Sequence, residues 1–166
     1  ELVGSNIADE FWGSGGNDKL IGNGGADSLF GGNGDDVLSG GRDGDYLDGG
    51  DGGYDVASYE DATVGVYLNL NNIALNTGDA AGDKYSGIDA FVGSNLLDEF
   101  VGSNVADEFW GNYGGDILRG NGGNDVLRGG WGNDLLEGGS GADYLDGGGD
   151  ADVASYANAA AGLRAS

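Results

Sequence analysis

Aspartate recurs every nine residues along most of this chain. Counting nonapeptides from Gly4, the sixth positions are Asp9, Asp18, Asp27, Asp36 and Asp45. From Gly93 they are Asp98, Asp107, Asp116, Asp125, Asp134, Asp143 and Asp152. The chain has no His, Cys or Met, which removes disulfides, zinc and haem ligation, and histidine-based acid–base or nucleophilic catalysis. The ligands left for a metal are oxygens, the donor set of hard ions such as calcium. Two carboxylates stacked at the ~5 Å spacing of neighbouring strands repel by roughly 1 kcal/mol in water and several times more at lower dielectric. A ladder of such pairs predicts a cation between successive turns. Asp18, Asp27, Asp36, Asp45, Asp107, Asp116, Asp125, Asp134, Asp143 and Asp152 are therefore the candidate ligands. Asp43 and Asp150 join them, because each replaces the fourth-position Gly of its unit and adds a carboxylate to the turn. The GSN units at 4, 93 and 102 lack that Gly, and weaker ion binding is expected there.

The elements that must hold these carboxylates follow from the same period. Glycines at the front of each unit permit the positive φ of a tight turn. The three residues after each Asp, such as DVL or DIL, predict a short strand whose eighth position faces one way and whose seventh and ninth face the other. Two turns and two strands close a coil in eighteen residues, so Leu20 should stack on Leu38 and Leu29 on Leu47. The fold class is all-β, a parallel β-roll with a core one side chain deep. A longer period lies on top: Glu1–Gly50 aligns with Glu99–Gly148 at an offset of 98, with VGSNIADEFWG matching VGSNVADEFWG. The organisation expected is a first roll over 1–57, a connector over 58–83, a second roll over 84–157 and the start of another connector at 158–166. Within the connector, VGVYLNL alternates as a half-buried strand, and Asp79 and Asp83 sit in a Gly-Asp loop that could hold a further ion. KYSGIDAFV then restores the phase, with Asp89 in the sixth place.

The tandem GGxGxDxLx units resemble the RTX repeats of secreted, calcium-binding β-roll proteins. The likeness covers roughly 4–57 and 84–156. It implies several bound calcium ions, held by the sixth-position carboxylates and the turn carbonyls. It also implies a right-handed roll that folds outside the cell after calcium-free, one-step (type I) secretion.

Other chemistries fare poorly. DGDYLDGG fails as an EF-hand because Leu47 falls at its fifth position and no Glu closes the loop. GGSGA at 138–142 lacks the last Gly of a nucleophile elbow, and no His accompanies it. No independent catalysis is expected. A formal net charge of −23 repels phosphate backbones and anionic membrane surfaces, so the partners expected are calcium ions and neighbouring modules, without nucleic acid or membrane insertion. The outward columns, such as Trp12/Phe30 and Ile21/Ser39, are too irregular to recommend carbohydrate or ice binding. The chain starts in mid-pattern and reads as a piece of a longer repetitive protein. The function expected is a calcium-dependent structural module of a bacterial surface protein, such as an adhesin stalk, surface layer or filament. The alternative is a folding and secretion module attached to an exported protease, lipase or polysaccharide epimerase.

Overall fold

Each Asp-x-apolar-x stretch becomes a strand, because its apolar residue can be buried only by stacking on the identical position two units away. The computed structural model describes residues 1–158, so the expected connector at 158–166 lies, beyond Asn158, outside the described residues. Strands are numbered along the chain. One sheet holds eight parallel strands: β1 (Leu2–Val3), β3 (Lys19–Gly24), β5 (Val37–Arg42), β7 (Val56–Ser58), β10 (Ala90–Val92), β12 (Glu108–Tyr113), β14 (Val126–Trp131) and β16 (Tyr144–Gly149). The opposite wall is split between two sheets. A four-stranded one holds β2 (Glu10–Gly15), β4 (Ser28–Asn33), β6 (Tyr46–Gly50) and β9 (Lys84–Ser86). A five-stranded one holds β8 (Tyr67–Asn69), β11 (Glu99–Val101), β13 (Ile117–Gly122), β15 (Leu135–Ser140) and β17 (Val153–Ser155). The molecule is a parallel β-roll, and Leu20 pairs with Leu38 and Leu29 with Leu47 as the period requires.

The inward eighth positions Leu20, Leu29, Leu38, Leu47, Leu118, Leu127 and Leu136 are fully or almost fully buried. Between the two leucine runs the core turns aromatic. Tyr85 packs edge-on against Phe91 at 5.0 Å, Phe91 against Phe109 at 6.1 Å and Phe109 against Phe100 at 5.4 Å. Such pairs stabilise by ~0.5–1.5 kcal/mol beyond the area they bury, which supports a core too thin to rely on depth.

Most strands within the repeat arrays run six residues rather than three. After Ile21 the ladder skips Gly22 and resumes with Asn23 opposite Gly41 and Gly24 opposite Arg42. The left-handed residue that makes this bend is the second of the unit, with φ of 74° at Asn23 and 108° at Gly32. The fourth position is also left-handed, at Gly34 and Gly123 for example, and Asp43 and Asp150 adopt it too, at 77° and 76°. The first-position glycines are not left-handed. Their reason is space: a Cβ on Gly22 would lie 2.1 Å from Asp27 Oδ2 and 2.5 Å from the Gly40 carbonyl oxygen. The expectation of positive φ at the leading glycine therefore moves one place along the unit.

Residues 58–83 carry the chain across a seam. From β7 it enters β8 on the five-stranded side, passes two short 3₁₀ turns (Ile73–Leu75 and Gly78–Ala80), and returns as β9 on the four-stranded side. β10 then pairs with β7, Ala57 opposite Phe91, so the eight-stranded sheet continues across the seam. This routing inverts the 98-residue repeat. Trp12 lies on β2 of the four-stranded sheet, whereas its counterpart Trp110 lies on β12 of the eight-stranded sheet opposite.

Candidate metal centres

Every sixth-position Asp sits where a turn passes into a strand, and the roll gathers these residues, together with Asp55 and Asp83, into three columns. Asp18, Asp36, Asp55, Asp89, Asp107, Asp125 and Asp143 precede successive strands of the eight-stranded sheet. Asp9, Asp27, Asp45 and Asp83 line the four-stranded sheet, and Asp98, Asp116, Asp134 and Asp152 the five-stranded one.

The carboxylates do more than face one another. Along the repeat arrays the backbone N–H of one Asp donates to Oδ1 of the Asp on the next coil: Asp18 to Asp36 at 2.7 Å, Asp27 to Asp45 at 2.8 Å, Asp116 to Asp134 at 2.8 Å. The same bonds reach Asp107 to Asp125, Asp125 to Asp143 and Asp134 to Asp152. One oxygen of each rung is thereby satisfied. The other is not. Oδ2 of Asp27, Asp36, Asp45, Asp116, Asp125 and Asp134 is buried with no hydrogen-bond partner. An unpartnered buried carboxylate oxygen carries a full desolvation penalty, and six of them in register mark positions where a cation is required.

The residues fit calcium. Each orphan oxygen points at the first-position glycine of its own unit, into the space a Cβ would occupy. Asp125 Oδ2 lies 2.1 Å from that point on Gly120, with the Gly138 carbonyl oxygen 2.7 Å away. Among the described residues no three acidic side chains converge, so backbone carbonyls must complete the shell, as calcium's six to eight oxygen ligands allow. Without an ion the field is hostile to charge. Burial pushes Asp45 up to about 7, Asp116 to about 8 and Asp125 to about 6, against the N–H donated by the preceding Asp and with help from neighbouring carboxylates. Burial also raises Asp27 and Asp134.

The GSN units solve the same problem without an ion. The Ser5 N–H and hydroxyl donate to Asp9 Oδ2 at 2.7 and 2.9 Å. Ser94 does so to Asp98 and Ser103 to Asp107, with N–H distances of 2.7 and 2.6 Å. The replaced second-position residue, rather than the missing fourth-position Gly, distinguishes these rungs. Asp107 thus stands with Asp9 and Asp98, apart from the orphan group. The remaining candidates are peripheral: Asp18, Asp143 and Asp152 are half-buried rungs near the ends of the columns, and Asp43 and Asp150 are exposed on the turn edge. Asp43 Oδ2 accepts the Gly25 N–H at 3.3 Å.

Two rungs escape the nine-residue count. Asp55 accepts the Asp36 N–H at 2.9 Å, and Asp83 accepts the Asp45 N–H at 2.9 Å. Each stands before an x-apolar-x triplet (VAS and KYS), a signal that could have found them. Asp83 is fully buried, and its Oδ2 takes the Tyr59 hydroxyl at 2.9 Å. Asp83 thereby closes its column, a different role from the separate ion site with Asp79 that the loop suggests.

The profile of the RTX calcium-binding nonapeptide repeat matches residues 3–38, 21–54, 101–136, 110–145 and 132–154. No curated protein matches the chain. These matches span more than half of the sequence, and such repeats bind calcium, several ions to a repeat region. From the in-phase aspartates, the stacked parallel coils and this match, the chain is a member of the RTX calcium-binding nonapeptide repeat family.

Proposed function

We propose that the chain is a secreted structural module of a bacterial surface protein, folded outside the cell by calcium into a rigid rod. The six buried Oδ2 atoms without a donor carry this reading, because they make the roll dependent on an ion that exists at millimolar level only outside the cell. Asp27, Asp36, Asp45, Asp116, Asp125 and Asp134 are the principal ligands. Asp18, Asp143 and Asp152 complete the end sites, and Asp43 and Asp150 act from the rim. Asp107, capped by Ser103, contributes least.

A rod built by duplication suits an adhesin stalk, surface layer or filament better than a single-site enzyme. Type I export, with the chain calcium-free and unfolded until it emerges, agrees with a charge of −23, which calcium then largely neutralises. Among the described residues no helix is long and apolar enough to cross a membrane. The Ile117–Leu135–Val153 column on the five-stranded sheet offers a strip for side-by-side packing of rods.

Circular dichroism with chelator and with millimolar calcium tests the proposal. The expected outcome is loss of β-structure with chelator and recovery with calcium, and sedimentation of the calcium form reads association. A β-spectrum indifferent to chelation would overturn it.

A further inference from the structure

The second copy of the repeat walls a trough with aromatic side chains on both sides, whereas the equivalent hollow of the first copy, about 480 Å³ over Trp12, Phe30, Gly32 and Asn33, has an aromatic wall on one side alone. Across β12, β14 and β16 the register places Trp110, Arg128 and Asp146 in one row along the roll axis. Tyr113 and Trp131 form a parallel row, with Gly149 next in line. Gly130 and Gly148 floor the space between, opposite Asn112. The trough encloses about 370 Å³, inside the ~300–1,000 Å³ range of small-molecule sites.

Its walls are aromatic and accessible: Trp131 is 61% exposed, Tyr113 55% and Trp110 39%. They are also held in place. The Arg128 guanidinium lies 5.1 Å from the Trp110 ring and 5.7 Å from the Tyr144 ring. Glu108 accepts from Arg128 and, at 2.9 Å, from Trp110 Nε1. Trp131 rests against Gly149, where a Cβ would come within 2.8 Å of its Cε3.

We propose that this trough binds an uncharged polysaccharide chain. A pyranose ring has a C–H face that packs on an indole or phenol ring, and hydroxyl edges that need fixed donors and acceptors. Trp131, Tyr113 and Trp110 supply the first, and Arg128, Asp146 and Asn112 the second. Charge selects the neutral class: the guanidinium of Arg128 is matched by Glu108, and Asp146, which no second cation faces in the trough, leaves it net negative. An acidic polysaccharide meets repulsion there.

The first copy is a built-in comparison. At an offset of 98 its counterparts are Trp12, Gly15, Phe30, Asn33 and Asp48. Gly15 and Asn33 remove the Tyr113–Trp131 wall. Phe30 replaces Arg128 and stacks on Trp12 at 4.0 Å and 12°, so the guanidinium donors are missing as well. The second trough should bind and the first should not.

The experiment is a tryptophan-fluorescence titration in millimolar calcium with cellohexaose, mannohexaose and xylohexaose, beside hexagalacturonate. Circular dichroism certifies that each variant retains the calcium-induced fold. Saturable binding of at least one neutral chain is expected, weakened about tenfold by Trp131→Ala and by Tyr113→Ala, and unchanged by Trp12→Ala. No response to any neutral chain at millimolar concentration would overturn the proposal. Preference for the acidic chain, or equal weakening by Trp12→Ala and Trp131→Ala in folded protein, would overturn it as well. Loss of calcium-induced folding in the wild type would instead count against the function proposed above.

Discussion

An aspartate in this roll has two oxygens with different employment. Within the repeat arrays Oδ1 accepts the N–H of the preceding rung, and Oδ2 faces a serine in the GSN units and no protein donor in the six orphan rungs. Asp116→Asn removes the second kind of oxygen and should raise the calcium midpoint on the order of tenfold. Asp107→Asn, in a rung that Ser103 already satisfies, should shift it far less. The leading glycines make a second contrast. Gly120→Ala would drive a Cβ to 2.1 Å from Asp125 Oδ2, whereas at Gly16 a Cβ meets nothing within 4 Å and only its left-handed φ objects, at ~1–3 kcal/mol. In calcium titrations by circular dichroism, Gly120→Ala should be the more damaging although its backbone is the more ordinary. Equal midpoints for Asp116→Asn and Asp107→Asn would refute the division of rungs.

At the scale of elements the seam between the repeat arrays is held by protein groups alone. The Tyr59 hydroxyl, fully buried, donates to Asp83 and meets the Tyr85 hydroxyl at 2.5 Å. Burial first, then the neighbouring Tyr85 and Asp83, holds the Tyr59 hydroxyl well above its ordinary range, so it stays a donor. Tyr59→Phe deletes that donor and leaves Asp83 Oδ2 buried and bare, an effect of about 1–3 kcal/mol. Urea unfolding in saturating calcium should show this loss. An unchanged midpoint would mean that Asp83 finds another partner. Ser94 and Ser103 extend the ion-independent stretch on the other side of the seam. The orphan carboxylates therefore fall into two blocks, Asp27–Asp36–Asp45 and Asp116–Asp125–Asp134.

For the whole molecule, protons and calcium compete for the same oxygens. In the ion-free roll burial pushes Asp45, Asp116 and Asp125 up to about 7, 8 and 6, all above the ~3.9 of an unfolded Asp. A raised folded-state pKa contributes stability that is complete below the unfolded value and disappears as pH rises through 6–8. With chelator present, acidification from pH 8 toward 4 should therefore increase residual β-structure. With calcium present the slope reverses in effect: each bound proton must leave, so the calcium midpoint should rise as pH falls. Circular dichroism across pH 5–8.5 reads both trends. A midpoint insensitive to pH would contradict the burial of these carboxylates.

How much was legible depended on whether the determining interaction was local. The nine-residue period dictates the strand, its inward residue and the aspartate column, because each rung interacts with a copy of itself eighteen residues away. Leu20 on Leu38 and Asp18 on Asp36 needed nothing further. GSN units stood out by their residues, but the reason, a serine hydroxyl in place of an ion, needed the turn's geometry. Asp83 with Tyr59 is a contact across an aperiodic segment, where spacing carries no information. The trough is of the same kind: Trp110 and Trp131 occupy unrelated positions in their units, so neither column is regular in sequence, and only the roll sets them across a glycine floor. Most tertiary of all is the inversion of the long repeat. Trp12 and Trp110 sit in nearly identical sequence, yet on opposite walls. Sequence alone determined which side of a strand each residue takes. The path of residues 58–83 through β8 and β9 decided which wall of the roll that strand joins.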